Sequence, residues 1–303
     1  MLAQQSAIAF DKMAISKGSS GAAKPLTIEH MKPTNTPFSF EASDVRMRSI
    51  LGLTDDAFVA SEHIPSPARL TYDNGFYVEC AALFVDIRGS SVLPQKHTQP
   101  VLGRIYRAYI SECVAVLNQD PNCGEIFIQG DCVGAVFHAP DDADVDSVFT
   151  RAGELNSVLL HLNWRLSQHG YSALTCGIGM SAGRALMIQA GYKGSGINDV
   201  VWMGDVVNEA AKLCHLGNRD SNKPIQVSAS AFNRLSTVNR KLLDRVSPVL
   251  VGSSAYQGNF VSTDMANWTA AQRGHRPTEL SKLIDWFRRD TKHGPLRRVA
   301  SWI

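Results

Sequence analysis

An unbroken apolar run at residues 76–87, FYVECAALFVDI, is the feature that most restricts how this chain can fold. A strand that is solvated on one face alternates polar and apolar residues, whereas a strand covered on both faces is apolar almost throughout. The run therefore predicts a central strand with other layers packed on both sides of it. Its next-to-last residue is Asp86, and the polar stretch RGSS follows directly. A carboxylate at the tip of a buried strand is either an ordinary turn residue or part of a site, and this segment alone leaves both open.

The segments that follow alternate between helical and extended patterns. Apolar residues recur at helical spacing over 98–117, with Pro100 early in the helix, where proline costs little. Residues 124–137, GEIFIQGDCVGAVF, are two apolar runs separated by a Gly-Asp pair, which is typical of a hairpin with a tight turn. A second long helix is expected over 143–169.

The next segments complete the pattern. ALTCGIGMSAGRALMIQAG, at 173–191, predicts a strand, a turn at Ala182-Gly183 and another strand. NDVVWM predicts a short strand, and GDVVNEAAKLCHLGN predicts a helix that ends at Gly217-Asn218. The order is therefore strand, helix, strand, strand, helix, strand, with additions after it.

This order is that of a ferredoxin-like βαββαβ layer. We predict an α+β fold in which helices pack on a mainly antiparallel sheet, with additional C-terminal strands and helices. The additional strand-like pieces are PIQVS, SPVLVG and GNFVST. Three regions are expected: a partly flexible N-terminal extension over 1–70 with a short helix near 42–53, a folded domain over 71–265, and a helical, polar C-terminal tail over 266–303.

Composition and charge argue against several classes of protein. The chain has 303 residues and a formal net charge of +2, so no global field favours nucleic acid or an anionic membrane surface. No apolar stretch approaches the ~20 residues of a membrane-spanning helix, and the first residues do not resemble a secretory signal. The six cysteines form no zinc-ligand pattern and are interpreted as buried, reduced residues. We expect a cytoplasmic protein with no nucleic-acid or membrane partner.

Two aspartates occupy the ends of strands that are neighbours in such a sheet. Asp86 ends the first strand and Asp131 lies on the hairpin turn, so their side chains are expected to converge at one sheet edge. Two carboxylates beside a Gly/Ser loop suit an oxygen-ligated Mg²⁺ or Mn²⁺ that holds a phosphate chain. A nest of loop amides is expected to meet the phosphate oxygens. These amides belong to Arg88, Gly89, Ser90 and Ser91.

Four motifs resemble those of the class III nucleotidyl cyclases, the family of adenylate and guanylate cyclase catalytic domains. FVDIRGSS resembles the FxDIxGFT segment of that family, and IFIQGDCVGAVF resembles its KxxGDxxMAVF hairpin. CGIGMSAGRALMIQAG resembles its GIGxxxGxxxxGxxG stretch, and DVVWMGDVVNEAAKL resembles DYxxxGxxVNxAARL. The four occur in family order between residues 77 and 217, so the domain over 71–265 is identified as a cyclase domain and both terminal regions lie outside the match.

The resemblance implies a role for each matching residue. Asp86 and Asp131 fall on the two metal-binding aspartates, and Ile87 on the residue whose backbone carbonyl helps to bind one of two divalent metal ions, Mg²⁺ or Mn²⁺. Asn208 matches the asparagine that orients the ribose. Lys212 stands where the family usually has an arginine that stabilises the transition state, and lysine keeps the charge but loses the bidentate fork. The implied reaction is attack of the ribose 3′-hydroxyl on the α-phosphate, with release of pyrophosphate.

The resemblance also implies a homodimer. In this family the asparagine and the arginine act across a head-to-tail dimer on the metal aspartates of the other chain. One chain that carries all four roles implies two equivalent composite sites for a nucleoside triphosphate. The change at Lys212 keeps a second hypothesis open, in which the chain is a degenerate cyclase dimer that binds a nucleotide as a sensor.

The positions that read the base are apolar in this chain. Purine cyclases use polar side chains where this sequence has Phe127 and Val201, so the contacts to a purine edge have no obvious source. Together with DIRGSS and YQGNF, these positions resemble the pyrimidine cyclases of bacterial Pycsar antiphage defence. That resemblance implies a cyclic pyrimidine nucleotide made for a separate effector, from UTP first and CTP next. If the match to the family motif is shifted by one residue, Asp199 lies nearer to the base-reading position now given to Val201. An adenylate or guanylate cyclase is therefore the alternative.

Overall fold

The computed structural model describes residues 32–246, 255–273 and 295–299, and the fold is given for these. The expected strand SPVLVG, residues 1–31 of the extension, and much of the C-terminal tail lie outside the described residues.

The described residues form helices and strands in the order expected for the central domain. The helices are α1 Phe40–Leu51, α2 Leu93–Lys96, α3 Gln99–Asn118, α4 Asp142–Gln168, α5 Asp205–Leu216, α6 Ala229–Arg234, α7 Thr237–Arg240 and α8 Thr263–Gln272. The strands are β1 Phe58–Ala60, β2 Gly75–Ile87, β3 Cys123–Gln129, β4 Cys132–His138, β5 Cys176–Tyr192, β6 Ile197–Met203, β7 Ile225–Ser228, β8 Asp244–Val246, β9 Ala255–Gly258, β10 Phe260–Ser262 and β11 Leu296–Arg298.

One large sheet has the strand order β3-β4-β2-β5-β7-β9-β8, with β1 beside β2 and β6 beside β5. The four strands β3, β4, β2 and β5, with α3 and α4 as their connections, form the predicted ferredoxin-like βαββαβ unit. Its pairs are antiparallel, and the parallel pairs are β1 with β2 and β5 with β7. The predicted α+β class with a mainly antiparallel sheet is confirmed.

The central strand β2 is buried on both faces, as its apolar sequence predicts. Leu83 and Val85 lie in a cluster with side chains of α3 and α4, which cover one face of the sheet. Val78 and Cys80 point the other way, into a second cluster to which α5 contributes Val206. Glu79 is the exposed residue of β2, and Asp86, next to the end of the strand, is half-buried.

Strand β5 is continuous, and the expected turn at Ala182-Gly183 is wrong. Both residues pair with β2, opposite Ala81 and Cys80. Two other glycines of this segment, Gly177 and Gly179, serve close packing of α5, whereas a Cβ at Gly183 would meet only Val206, at 3.8 Å. A Cβ at Gly179 would lie 2.1 Å from the Cys214 backbone nitrogen, so only glycine lets the helix approach the strand this closely.

The segments outside the central domain also contribute strands. β1 pairs with the first residues of β2, and β11 pairs with β10 in a small second sheet. The tail was expected to be helical, but residues 296–298 form a strand. Pairing with β10 keeps this stretch extended, and Leu296 is buried over Gly153 of α4.

The remaining structural expectations concern membranes and cysteines. Among the helices of the described ranges, none combines the length and the apolar character that crossing a membrane requires. None of the six cysteines is in a disulfide.

Candidate active site

The sheet brings Asp86 and Asp131 to the same edge. Asp86 is the next-to-last residue of β2, and Asp131 is the second residue of the two-residue turn that joins β3 to β4. Gly130, the first turn residue, has a φ of 65°, which glycine adopts without strain. Because β4 is the neighbour of β2, with Val133 opposite Val85, the turn lies beside the end of β2.

The electrostatics of this edge favour a bound cation. Burial raises the pKa of Asp86, and the charge of Asp131 raises it further, while nearby Arg88 lowers it. Atom Oδ2 of Asp131 is buried without a hydrogen-bond partner among the described residues. Since buried polar atoms are normally paired, an orphaned carboxylate oxygen beside a second carboxylate fits a divalent cation.

The donor set is small. The described part of the chain contains no group of three or more His, Cys, Asp or Glu side chains that could hold a metal by itself. Mg²⁺ commonly takes one or two carboxylates and completes its coordination with water and substrate phosphate. Asp86 and Asp131 therefore fit a metal that binds together with a nucleotide, and Ile87 is the last residue of β2, directly after Asp86.

The loop after β2 begins with a left-handed glycine. Gly89 has a φ of 64°, and a 3₁₀ turn over Ser90–Val92 follows it. The amide of Arg88 donates to the carbonyl of Thr175, with 2.6 Å between nitrogen and oxygen, so this amide is already engaged. The prediction of a phosphate-binding loop then depends on the amides of Gly89, Ser90 and Ser91.

The side chain of Arg88 does not extend toward solvent. Its guanidinium lies 3.3 Å from Oδ2 of Asp86 and donates to the carbonyl of Cys214 at the end of α5, 2.9 Å away. Sequence reasoning considered only the backbone amide of this residue. The signal available was an arginine directly after a buried strand, which has to pair its charge locally.

Asn208 and Lys212 lie on the exposed face of α5, one turn apart. The opposite face of the helix carries the buried residues Val206, Ala210, Leu213 and Cys214. Within the chain, the cations that lower the pKa of Asp86 are Arg88, Arg219 and His215. The fold thus brings the two aspartates together but directs Asn208 and Lys212 outward.

The two positions assigned to the base lie on different faces of the sheet. Phe127 stacks on Phe84, with ring centroids 6.3 Å apart and an interplanar angle of 8°, in the same cluster as Val200. Val201 is 38% exposed, while its neighbour Trp202 is buried in that cluster. A monomer therefore does not bring Val201 to Phe127.

A polar pair beside Phe127 escaped the sequence analysis. Trp202 donates from Nε1 to a carboxylate oxygen of Glu125, 2.6 Å away. Burial raises the pKa of Glu125, and the indole hydrogen bond partly offsets this. An acid within the apolar strand β3 was the available signal, but only the tertiary structure shows that Trp202 of β6 reaches it.

Solved structures share this fold. A class III adenylyl cyclase-like ATP-binding protein from Pseudomonas aeruginosa is 22% identical with a TM-score of 0.53, covering 66% of this chain and 44% of that one. The adenylyl cyclase CyaB from P. aeruginosa is 18% identical with a TM-score of 0.51, covering 61% of this chain and 95% of that one. The fold is that of class III nucleotidyl cyclases.

Curated sequences are more similar. A uridylate cyclase of Gulbenkiania mobilis is 37% identical over 256 residues, 78% of this chain and 98% of that protein. A uridylate cyclase of Treponema porcinum is 34% identical over 206 residues, 68% of this chain and 72% of that protein. No family model matches the sequence. The chain belongs to the family of nucleotidyl cyclases that these relatives represent, and it is an enzyme of that class.

Proposed function

We propose that this nucleotidyl cyclase converts UTP to 3′,5′-cyclic UMP and pyrophosphate, with CTP as the next candidate substrate. The observation that carries the choice of base is the similarity to relatives named uridylate cyclase, at 34% and 37% identity. The apolar side chain of Phe127, in place of a polar group that would read a purine edge, supports it.

In this proposal two divalent metal ions, Mg²⁺ or Mn²⁺, bind at Asp86, Asp131 and the carbonyl of Ile87. When bound, they neutralise the triphosphate and lower the pKa of the ribose 3′-hydroxyl. The support is the pair of converging carboxylates, with one buried oxygen that no described residue pairs.

The chain's own groups orient the nucleotide. The amides of Gly89, Ser90 and Ser91 bind phosphate oxygens, Asn208 orients the ribose, and Lys212 balances charge on the α-phosphate. The 3′-oxygen forms a bond to the α-phosphorus as the bond to the bridging oxygen breaks. The hydroxyl proton leaves to solvent, and pyrophosphate carries away the electron pair. Positioning and charge stabilisation supply most of the rate in such a transfer.

The site is proposed to be shared between two copies of the chain. Asn208 and Lys212 of one protomer would reach the aspartates of the other in a head-to-tail homodimer with two equivalent sites. The exposure of both residues, on the face of α5 turned away from the sheet, supports this arrangement. Closed two-fold dimers are the commonest oligomers.

The biological role is proposed from the resemblance to Pycsar cyclases. The cyclic nucleotide would act as a second messenger for a separate effector in antiphage defence.

In the proposed base pocket, Phe127 and Phe84 would offer uracil a flat apolar surface.

The first experiment separates the alternatives. The purified protein is incubated with Mn²⁺ and with ATP, GTP, CTP or UTP alone, and the products are resolved by chromatography. Cyclic UMP from UTP is expected. Cyclic CMP from CTP would make CTP the substrate instead of UTP. A cyclic purine product would contradict the assignment of Phe127 to the base pocket. No product from any nucleotide, despite binding, would favour a degenerate cyclase and contradict the proposal.

A further inference from the structure

One arginine joins the proposed metal site to the end of a helix. The side chain of Arg88 is only 8% exposed. Its Nη2 lies 3.3 Å from Oδ2 of Asp86 and donates to the Asp86 carbonyl at 3.2 Å and to the Cys214 carbonyl at 2.9 Å. Its Nη1 donates to the carbonyl of His215 at 3.3 Å. A single guanidinium therefore contacts both the end of β2 and the last turn of α5.

The packing leaves room for this guanidinium and for little else. Gly177 of β5 lies opposite Asp86. A Cβ at Gly177 would lie 2.6 Å from Nη2 of Arg88 and 2.3 Å from the Cys214 carbonyl oxygen, so glycine is required at this position. Nε of Arg88 is buried without a partner among the described residues, which adds a cost to burying this charge. Its terminal nitrogens have to offset that cost.

Capping the helix explains only part of this arrangement. An arginine near a helix C-terminus pairs the last carbonyls and interacts favourably with the helix dipole. Arg88 does this at Cys214 and His215. A cap alone has no need to contact Asp86, whereas here the same nitrogen reaches both the carbonyl and the carboxylate of that residue.

We propose that Arg88 is a positioning residue, which holds the Asp86 carboxylate in its metal-binding orientation and ties it to the C-terminal end of α5. This inference rests on the proposed function, which assigns a divalent cation to Asp86. Because α5 also presents Asn208 and Lys212, one side chain then sets the relative placement of both sets of catalytic groups that a protomer contributes.

Two roles for Arg88 predict opposite changes in metal affinity. A cationic side chain beside a metal site repels the metal, so removal of a simple counter-charge would tighten binding. Removal of a group that orients a ligating carboxylate weakens binding, by about 10–100-fold in other metal sites. The direction of the change therefore distinguishes them.

The experiment compares Arg88→Met, Arg88→Lys and a matched control, Arg234→Met. Arg234 likewise donates to two backbone carbonyls, those of Ala139 and Pro140, and pairs with an aspartate, but it lies at the opposite end of β4 from the metal aspartates. Binding of Mn²⁺ with α,β-methylene-UTP, which cannot cyclise, is measured by calorimetry. Amide hydrogen exchange is followed over residues 213–217 without nucleotide.

We expect Mn²⁺ binding to weaken about tenfold or more in Arg88→Met, to recover only partly in Arg88→Lys, and to stay unchanged in Arg234→Met. Exchange over 213–217 should be faster in both Arg88 variants. Unchanged or tighter Mn²⁺ binding in Arg88→Met would overturn the inference. If the wild-type protein binds Mn²⁺ no better than Asp86→Asn does, the proposed metal site itself is wrong, and the inference falls with it.

Discussion

The carboxylates of Asp86 and Asp131 repel each other, and burial adds to the cost of keeping both charged. An acid whose pKa is raised on folding is destabilising when it is charged. The metal-free protein should therefore lose stability as the pH rises from the ordinary aspartate range through the raised pKa of Asp86. Such a cost at a sheet edge is typical of groups that serve a ligand.

Replacing one carboxylate should separate stability from activity. Asp131→Asn removes the like charge, so in EDTA at neutral pH we expect its Tm to rise by about 2 °C. Because Asp131 is a proposed metal ligand, we also expect kcat to fall by ~10²-fold or more, the size of effect that follows removal of one group stabilising transition-state charge. Thermal unfolding with and without Mn²⁺ and UTP, together with product formation, measures both effects. A lower Tm in EDTA would show that the two charges do not oppose each other.

Phe127 provides a second test at the scale of single residues. Phe127→Ala removes the ring that stacks on Phe84, so we expect kcat/KM for UTP to fall about tenfold. The ratio of kcat/KM for UTP to that for each other nucleotide should fall as well. Ile128→Ala is the control, because Ile128 is 57% exposed on the opposite face of the same strand. Kinetics with all four nucleotides are required. If turnover and preference stay the same, Phe127 does not contact the base.

The residues of the candidate site differ in how far the sequence alone predicts them. Asp86 and Asp131 follow from strand ends and a hairpin turn, which are local features, and the structure places them together. The contacts of the Arg88 side chain with α5 were missed because that helix lies more than a hundred residues away in the chain. Val201 was assigned to the base pocket from its place in a motif. The structure shows that it points away from Phe127, because its neighbours in β6, Val200 and Trp202, face the cluster that holds Phe127 while Val201 is exposed.

At the scale of elements, the packing of α5 on β5 decides where Asn208 and Lys212 lie. Gly177 and Gly179, the first two glycines of GIGMSAG, bring the helix backbone against the strand. A turn was predicted here because glycine is also a turn residue, and the local sequence does not distinguish the two uses. The helix α5, against which these glycines pack, comes later in the chain, so the sequence of the strand alone does not show this use of glycine.

A pair of glycine substitutions tests this contact. Gly179→Ala places a methyl group 2.1 Å from the Cys214 nitrogen and 2.2 Å from the Ala210 carbonyl, so α5 has to shift. We expect a loss of about 1–3 kcal/mol in the free energy of unfolding and reduced activity. Gly183→Ala is the control, because its added Cβ meets only Val206, at 3.8 Å. Denaturant unfolding measures the free energy of unfolding, and product formation measures activity. Equal effects of the two substitutions would contradict the close contact between Gly179 and α5.

At the scale of the whole molecule, the described chain holds the proposed catalytic groups in two separate sets. The aspartates converge at one sheet edge, while Asn208 and Lys212 face outward on α5. The proposed composite site in a homodimer would reconcile these placements, because each protomer would then supply one set to each of two sites.

Mixing two inactive variants tests the composite site. Asp86→Ala and Lys212→Ala homodimers should each be inactive, whereas random subunit exchange makes half of the dimers mixed, each with one intact site. About a quarter of the wild-type activity should return on mixing. Asp86→Ala mixed with Asp131→Ala is the control and should recover none, since both changes damage the same set. No recovery in dimers shown to be mixed would place all four groups of a site within one chain.

The sequence by itself determined the class of fold and the family and predicted that two aspartates meet at one sheet edge, because each depends on local periodicity or on a motif a few residues long. Only the tertiary structure decided that β5 runs straight through its glycines, that residues 296–298 pair as a strand, and where the side chain of Arg88 lies. These outcomes depend on contacts between segments far apart in the chain. The free energy of such contacts comes from packing, which local sequence does not encode.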